Sequence, residues 1–293
     1  MSDKQLLRTT GMKKIGIFGA GKLGCALGKY FKLKHLEIAG IYGRNPKVGQ
    51  QVTELVGANF FDQLEDLVLK SDILFLTVVD QAIEDLWFEM VKFDLAGKII
   101  IHCSGAKSSR VFEGVAALGA FGYSLHPVMT LSAAPDAYLA LENAHFTLEG
   151  DSGKLTVVKD LITSLGNQVH VVDSDQKALY HCAAVFASNF MIAVAQKSMQ
   201  LLARCGMDEA GQAILFPLME TSIKNVANAG AVKALTGPVE RGDLETVEKH
   251  LAVLNADEKR LYASLSRILI EVATEKNPET DYSELKEVVK ETL

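Results

Sequence analysis

The sequence has few cysteines, and none of them stands at a metal-binding or redox spacing. The four are scattered along the 293 residues: Cys25, Cys103, Cys182 and Cys205. Disulfide frameworks and structural zinc sites use closely and regularly spaced cysteines, so neither is expected. The pairs His102-Cys103 and His181-Cys182 do not change this, because sequence neighbours point apart on a strand or helix. We expect buried thiols and no metal site.

Positive charge is also scarce, with 30 Lys and Arg against 36 Asp and Glu and a net charge of -6. Nucleic acids and anionic membranes bind to a basic face, so neither is an expected partner, and a small molecule is favoured. The first dozen residues lack the apolar core of a signal peptide, and no apolar run is expected to span a bilayer. These absences predict a cytoplasmic protein.

The chain has the composition of an ordinary globular protein, 48% hydrophobic and 23% charged, and its length suits two domains. Strand-like and helix-like segments alternate as far as Asp173, and only helical patterns follow. The sequence therefore predicts a nucleotide-binding domain over residues 1–173 and a helical domain over residues 174–293.

A strand, a glycine-rich turn and a helix follow one another directly near the start. The apolar run Ile15 to Phe18 leads into a G-x-G-x-x-G pattern, and a helical pattern continues to Phe31. The six residues of the pattern are Gly19, Ala20, Gly21, Lys22, Leu23 and Gly24. In dinucleotide-binding folds the first glycine makes the turn, the second admits the pyrophosphate and the third lets the helix approach the strand. We predict a dinucleotide site here; the alternative is a packing turn.

The second strand, Glu37 to Tyr42, ends at a position that distinguishes NAD from NADP in such folds. An acidic residue there binds the ribose 2′-hydroxyl of NAD, whereas an arginine accommodates the 2′-phosphate of NADP. The sequence has Arg44-Asn45 with Lys47 nearby and no acid. NADP is therefore the predicted cofactor, unless Arg44 and Lys47 are only solvated turn residues.

Further apolar runs predict a mostly parallel sheet of roughly eight strands with right-handed helical crossovers. Helical periodicity covers Val48 to Val56 and Phe61 to Leu69. Ligands in such sheets bind beyond the carboxyl ends of the strands, which places three strand ends on the rim of the glycine turn. These ends are Val78-Val79, Ser104 and His126.

After residue 173 the sequence predicts long helices over Gln176 to Cys205, Asp208 to Ala229, Leu244 to Leu254, Glu258 to Thr274 and Asp281 to Thr292. The segment Ala183 to Ala195 is apolar nearly all round, which is typical of a buried helix. Another copy of the chain or the nucleotide domain would cover it. A homodimer through the helical half is the prediction.

Hydride transfer needs a proton donor near the substrate, and three polar residues are candidates. His126 follows a strand end, and the unperturbed pKa of histidine, about 6.5, would let it donate or accept a proton at neutral pH; alternatively it caps the His-Pro turn. His181 and Asn189 stand eight apart, on the same side of a continuous helix about two turns from each other. Alternatively, the helix satisfies both internally.

Several strings together resemble a Rossmann-like oxidoreductase family whose C-terminal helical part is known only as a domain of unknown function. They are the glycine turn, His102-Cys103-Ser104-Gly105, His126-Pro127-Val128-Met129-Thr130, Tyr180-His181, Ala187-Ser188-Asn189 and Ala234-Leu235-Thr236-Gly237-Pro238-Val239-Glu240-Arg241-Gly242-Asp243. The layout is more distantly similar to pyrroline-5-carboxylate reductase, ketopantoate reductase and the β-hydroxyacid dehydrogenases. The resemblance implies an NADP-dependent oxidoreductase and leaves the substrate open.

The resemblance also bears on single residues. It implies that Ser104, which could otherwise cap a βα turn, contacts substrate, and that Thr236 lies in a substrate loop. Arg241 could pair with a carboxylate, although Gly242-Asp243 could simply begin a helix. β-Hydroxyacid dehydrogenases carry a catalytic lysine one turn before an asparagine, but Val185 and Phe186 precede Asn189 here. Lys177 stands too early, so a lysine mechanism is not expected.

Three functions remain open at this stage. The first is an NADP-dependent reductase or dehydrogenase of a small carbonyl, imine or hydroxy acid. The second is a non-catalytic NADP-binding sensor or scaffold, which the missing lysine favours. The third is NADP-linked reduction of a second cofactor such as a deazaflavin.

Overall fold

A computed structural model describes residues 13–131 and 136–293, which divide into two compact units. The first unit ends at Met191 and contains a sheet with helices, and the second runs from Ile192 to Leu293 and is helical. The predicted class, a mostly parallel α/β sheet followed by an all-α part, is confirmed. The division falls later than the boundary predicted at residue 173, because the first helix after the sheet belongs to the first unit.

The first unit is built on one sheet of eight strands in the order β3-β2-β1-β4-β5-β6-β7-β8. The strands are β1 Ile15–Phe18, β2 Ile38–Tyr42, β3 Phe60–Phe61, β4 Ile73–Leu76, β5 Ile99–His102, β6 Phe121–Val128, β7 His145–Gly150 and β8 Val169–Val171. Every neighbouring pair is parallel except β6 and β7. The short edge strand β3 was missed, since the sequence predicted a helix from Phe61.

Helices cover both faces of this sheet, as its continuous apolar strands require. They are α1 Lys22–Leu33, α2 Pro46–Val56, α3 Leu64–Lys70, α4 Ile83–Met90, α5 Leu155–Thr163 and α6 Lys177–Ala187. One core receives Phe31 of α1, Val56 of α2 and Ile162 of α5. The other receives Leu67 of α3 and Trp87 of α4. The carboxyl ends of the strands, which lie between these two layers of helices, form the rim that the sequence predicted.

Five helices follow: α7 Asn189–Arg204, α8 Gly211–Ala234, α9 Leu244–Val253, α10 Ala256–Lys276 and α11 Ser283–Thr292. The last three share a buried core that includes Val247, Ile270 and Leu285. Asn255 and Glu258 form a capping box that starts α10. Helix α8 leaves helical geometry at Gly230, with φ 79°, directly after its predicted end.

The long helix predicted over Gln176 to Cys205 is interrupted at Ser188, where φ is -125° and ψ is -71°. The Ser188 hydroxyl donates to the Ala184 carbonyl instead of continuing a regular helix. The segment Ala183 to Ala195, expected to be buried, is open in the single chain, with Phe186 57% and Ile192 65% exposed. The residues that the structure describes therefore leave much of this apolar surface uncovered.

By length and composition alone, the helical stretch Ser174–Arg204 would suffice to cross a bilayer. The expectation that no apolar stretch could do so is wrong on that criterion. The stretch is not one helix, however, because it breaks at Ser188. The same composition is found in helices that pack against other protein surfaces, so membrane insertion does not follow.

Candidate active site

The glycine turn has the backbone geometry for which its three glycines were singled out. Gly19 takes φ 128°, and a Cβ there would lie 2.8 Å from the Thr77 carbonyl carbon. A Cβ on Gly24 would lie 1.9 Å from the Gly19 oxygen, whereas one on Gly21 would meet nothing within 4 Å. Gly19 and Gly24 are thus required for packing, and the space above Gly21 is open to a ligand.

Thr77, at the end of β4, is a residue that the sequence analysis missed. Its hydroxyl donates to the Gly19 oxygen at 2.9 Å, which ties the glycine turn to the neighbouring strand. The threonine follows an apolar run and carries no local signal of this role. Only the pairing of β1 with β4 brings it to the turn.

A cavity of about 670 Å³ lies at the glycine turn, within the first unit. Seven predicted cofactor residues line it: Gly19, Ala20, Gly21, Arg44, Asn45, Val78 and Val79. Its lining does not include Lys22, Leu23, Gly24 or Ser104. Asp62, which follows the missed strand β3, adds a carboxylate to the wall. The cavity has the position and residues of a dinucleotide site.

Two residues at the end of β2 have different tasks. Asn45 caps α2, and its side-chain oxygen accepts from the Lys47 backbone N–H at 3.1 Å. Arg44 is exposed and belongs to the cavity wall. The capping role fixes where α2 begins, so that Arg44 directly precedes the cap at the strand end.

A second group of polar residues surrounds Gly105, beyond the end of β5. A Cβ on Gly105 would lie 2.3 Å from Nδ1 of His181 and 3.0 Å from Nε2 of His126. The two imidazoles stand edge to face, with ring centroids 5.8 Å apart. The Tyr180 hydroxyl lies 2.7 Å from Nδ1 of His126. The strand β6 and the helix α6 therefore bring His126 and His181 together.

Burial lowers the pKa of His126 to about 4, and the positive charge of Lys177 acts in the same direction. This pKa lies well below the unperturbed histidine value of about 6.5. At neutral pH this side chain is an uncharged imidazole that donates through one nitrogen and accepts through the other. It can relay a proton from one nitrogen to the other, but at neutral pH it does not carry an additional proton.

Ser104 lies beside this group and is held by an acid that the sequence analysis did not single out. Its hydroxyl donates to the Asp80 carboxylate at 2.7 Å and accepts from the Lys107 backbone N–H at 3.0 Å. Ser104 therefore caps the βα turn, which was the alternative interpretation of this residue. Asp80 follows β4, and its carboxylate partly opposes the lowering of the His126 pKa.

Lys177 is the largest departure from the sequence-based analysis of the site. It stands in the first turn of α6, one turn before Tyr180, and is only 1% exposed. Burial lowers its pKa to about 8, although the negative charges of Glu149 and Asp80 oppose this. A lysine therefore lies near the histidines, although it is not at the position before Asn189 that the β-hydroxyacid dehydrogenase pattern would give.

Asn189 does not have the relation to His181 that a continuous helix would give. The break at Ser188 separates the two residues, and Asn189 begins α7 as an exposed side chain. Its amide oxygen lies 3.0 Å from the Ser188 hydroxyl oxygen. The expectation that Asn189 and His181 face the same side two turns apart is therefore not met.

Thr236 and Arg241 lie in the helical unit, on a loop before α9. Asp243 caps that helix, accepting from the Thr246 N–H at 3.1 Å, as the alternative interpretation held. The loop is fixed by Glu240, whose carboxylate lies 3.2 Å from the Lys276 ammonium. Thr236 and Arg241 are exposed, and the Arg241 guanidinium is 3.7 Å from the Asp243 carboxylate. A substrate contact by either residue stays a prediction.

Within residues 13–131 and 136–293, no group of three or more His, Cys, Asp and Glu side chains is arranged to hold a metal ion. Cys25 and Cys103 are at least partly buried, but Cys182 and Cys205 are exposed, contrary to the expectation of buried thiols.

Two family models match the chain. Residues 3–127 match a Rossmann-like domain, and residues 144–268 match a domain of unknown function (DUF2520). No curated protein matches the chain in sequence.

Solved structures with the same fold cover nearly the whole chain. Protein TM1727 from Thermotoga maritima is 27% identical with a TM-score of 0.71, over 90% of this chain and 99% of that one. BF3122 from Bacteroides fragilis, a proposed NADP oxidoreductase, is 25% identical with a TM-score of 0.71, over 88% and 98%. A Plasmodium falciparum pyrroline carboxylate reductase with NADP bound is 15% identical with a TM-score of 0.60, over 91% and 98%, and shows the fold alone.

Proposed function

For a chain that joins a Rossmann-like domain to a DUF2520 domain, we propose the function of an NADP-dependent oxidoreductase. Its substrate would be a small carbonyl, imine or hydroxy acid. The observation that carries the proposal is the cavity of about 670 Å³, which joins the open space above Gly21 to Arg44. The resemblance to a proposed NADP oxidoreductase supports it.

Each part of the cavity would bind one part of NADP. The N–H groups at the start of α1 and the helix dipole favour a pyrophosphate above Gly21. The guanidinium of Arg44 favours the 2′-phosphate, to which it can donate two parallel hydrogen bonds. The wall also contains the carboxylates of Asp62, Asp85 and Glu89, which would repel a phosphate placed against them.

NADPH, when bound, supplies a hydride, and the chain must supply the matching proton. His126 is the residue best placed to do so. Its Nδ1 is engaged by the Tyr180 hydroxyl, while Nε2 lies on the Gly105 side, next to His181. Ser104 would orient the substrate, since its hydroxyl is held in place by Asp80. His181 would bind the substrate from beside His126, on the same side of Gly105.

The buried Lys177 favours catalysis over a non-catalytic sensor. The sensor was suggested because the family's lysine before Asn189 is missing, but a different lysine, Lys177, is buried near the histidines. A buried cation among imidazoles is costly to maintain for binding alone. Sites with strongly shifted pKa values of this kind are typical of catalysis.

We further propose that the protein is a homodimer, joined through α7 and α8. Apolar side chains on these helices are open to solvent in the single chain, among them Ile192 at 65%, Leu218 at 63% and Ile223 at 51%. Exposed apolar side chains in such number on helices are typical of an interface between protein chains. A second copy offers the same surface for symmetric pairing.

Binding and turnover can be measured separately. Trp87 is the one tryptophan of the chain and lies on α4, which also contributes Leu86 and Glu89 to the cavity. Quenching of its fluorescence should therefore follow NADPH binding directly. If NADPH leaves both this signal and the thermal stability unchanged, the proposal is wrong.

Turnover is then tested by the loss of NADPH absorbance with a panel of oxoacids, imines, aldehydes and flavins. Oxidation by a carbonyl or imine supports the proposed function. Oxidation by flavins alone would support reduction of a second cofactor. Tight binding without oxidation by any member would favour the sensor.

A further inference from the structure

Buried polar atoms without a hydrogen-bond partner are concentrated in one place. Among the described side chains there are four: His102 Nε2, Thr147 Oγ1, Lys177 Nζ and His181 Nδ1. Such atoms are rare in folded proteins, because each costs about 1–3 kcal/mol when left unpaired. Buried polar atoms of this kind are commonly satisfied by ordered water.

The strand register explains why they meet. His126 of β6 is directly opposite Thr147 of β7, and Ser124, two residues before, is opposite both His102 of β5 and Glu149 of β7. Side chains at such positions share one face of the sheet. A buried face in a sheet of this type is normally apolar. Here the face carries a row of polar side chains that ends below α6. This polar row consists of His102, Ser124, His126, Thr147 and Glu149.

Lys177 covers this row from the first turn of α6. Its ammonium lies 5.4 Å from the centre of the Tyr180 ring and has no hydrogen-bond partner among the described residues. The charged groups that face it are Glu149 from β7 and Asp80 from the end of β4, with the Cys103 thiol beyond β5. His102 and His126 face it from β5 and β6.

Glu149 connects the row to the surface. Its carboxylate accepts from the Ser109 hydroxyl at 2.9 Å and from the Ser174 hydroxyl at 2.7 Å. Both serines are half-buried, whereas Glu149 is 2% exposed. A proton can therefore enter at the serines without passing the side of His126 that faces Gly105.

We propose that Lys177 is the internal proton source for His126 and delivers its proton through the Tyr180 hydroxyl. Ordered water at the Thr147 hydroxyl bridges the ammonium to Tyr180. Lys177 does not touch the reacting atoms, and its effect on the reaction passes through Tyr180 and His126. The role of this proton in catalysis rests on the proposed oxidoreductase function. The proton path from Lys177 to His126 does not.

The transfer balances without forming an imidazolium. In reduction, NADPH provides the hydride to the substrate carbon, and the proton on His126 Nε2 moves to the substrate oxygen or nitrogen. The Tyr180 hydroxyl proton moves to Nδ1, and the Lys177 ammonium replaces the proton on Tyr180. This leaves Lys177 neutral and His126 protonated on Nδ1. Lys177 is recharged from solvent along Glu149, and the imidazole returns to its Nε2–H tautomer by proton exchange with water before the next turnover. Oxidation runs through the same steps in reverse.

The two pKa values fit a mechanism in which Lys177 supplies the proton and His126 relays it. His126, lowered to about 4, remains neutral at pH 7, so it only exchanges one N–H for the other. Lys177, lowered to about 8, holds a proton at pH 7 and can release it. A proton donor is most effective when its pKa is near the working pH.

The proton path can be tested without substrate or cofactor. In protein with ¹⁵N-labelled histidine, the ring nitrogens of His126 should report a neutral imidazole at pH 6–10 and shift with a midpoint near pH 8 as Lys177 loses its proton. Lys177→Met should abolish that inflection. Tyr180→Phe should abolish it too, while ¹³Cε labelling still shows Lys177 titrating near pH 8.

Lys159→Met, an exposed lysine of α5 replaced in the same way, is the matched control and should leave the curve unchanged. If the inflection survives in Tyr180→Phe, Lys177 acts only through space and the relay is wrong. If it survives in Lys177→Met, Lys177 is not the source. Should Lys177→Met fail to fold, Lys177→Gln serves in its place.

Kinetics add a second readout once a substrate is oxidising NADPH. Lys177→Met should lower kcat about 100-fold with an unchanged KM for NADPH, and added ethylamine should restore part of it in Lys177→Ala. If the KM for NADPH rose by the same factor as kcat fell, and ethylamine restored no activity, Lys177 would have a structural role. Because the NMR experiment needs no NADPH, failure of cofactor binding would overturn the proposed function and leave the proton path intact.

Discussion

The hydroxyl of Tyr180 lies 2.7 Å from Nδ1 of His126, so a helix residue and a strand residue share one proton. This contact fixes which imidazole nitrogen remains for a substrate. It exists because β6 extends past its pairing with β5 and carries His126 beyond the buried layer, to where α6 begins. The chemistry proposed here depends on that junction.

Cofactor preference should depend on Arg44. A phosphate contact of this kind contributes about 1.5–3 kcal/mol, which corresponds to a preference for NADPH over NADH of roughly tenfold to a hundredfold. Arg44→Ala should weaken NADPH binding by that factor and change NADH binding little. Calorimetric titration of both cofactors measures this, with Lys159→Ala as the control for lost positive charge.

If the NADPH to NADH affinity ratio were the same in Arg44→Ala, the assignment of Arg44 to the 2′-phosphate would be wrong. In that case Lys47, which follows the Asn45 cap, would be the next residue to replace.

Two glycines of the turn should respond differently to the same substitution. A Cβ on Gly21 meets nothing within 4 Å, so Gly21→Ala should fold with an unchanged Tm but bind NADPH at least tenfold more weakly. A Cβ on Gly24 would lie 1.9 Å from the Gly19 oxygen, so Gly24→Ala should lower the Tm. Thermal unfolding and NADPH titration of both variants separate packing from binding. Full NADPH affinity in Gly21→Ala would show that nothing binds above that glycine.

Acid should destabilise the protein through His102. This side chain is fully buried, and burial lowers its pKa to about 4. The unfolded chain binds a proton at this residue below about pH 6.5, whereas the folded chain does not until about pH 4. Stability is therefore fully present above pH 6.5 and falls by about 3 kcal/mol between these values, at 1.36 kcal/mol per pKa unit.

Denaturant unfolding at a series of pH values measures this slope. His102→Asn keeps an acceptor for the Ser104 N–H, which His102 Nδ1 accepts at 3.2 Å, and should flatten the curve. His35→Asn, at an exposed residue with φ 62°, is the matched control and should not. An unchanged slope in His102→Asn would assign the acid sensitivity elsewhere, with His126 the next candidate because its pKa is also lowered to about 4.

Much of the first unit follows from local sequence signals. The run Ile15 to Phe18 and the three glycines after it determine strand, turn and helix without reference to the rest of the chain. The strand β3 cannot be predicted in this way. Phe60–Phe61 is too short to show a hydrophobic periodicity, and it forms a strand only because it pairs with β2. The break at Ser188 lacks glycine and proline, so no local rule marks it.

The candidate site was only half predictable for a related reason. His126 and Ser104 follow strand ends, and topology alone brings strand ends to one rim. Thr77 and Lys177 acquire their roles from burial, which depends on what packs against them. A lysine in a first helical turn is ordinarily a solvated residue, and it is the polar row on β5, β6 and β7 that makes Lys177 unusual.

Finally, the oligomeric state should depend on α8. Leu218 is 63% exposed on that helix, and at the centre of a symmetric interface a charge there would appear twice and be desolvated. Light scattering of the unaltered protein should give about twice the 31.8 kDa chain mass, and Leu218→Glu should give one chain mass. Leu69→Glu is the matched control, because Leu69 is a 57% exposed leucine on α3 of the other unit. If Leu69→Glu dissociates the dimer and Leu218→Glu does not, the chains associate through the sheet unit, and the apolar surface of α7 and α8 has another occupant.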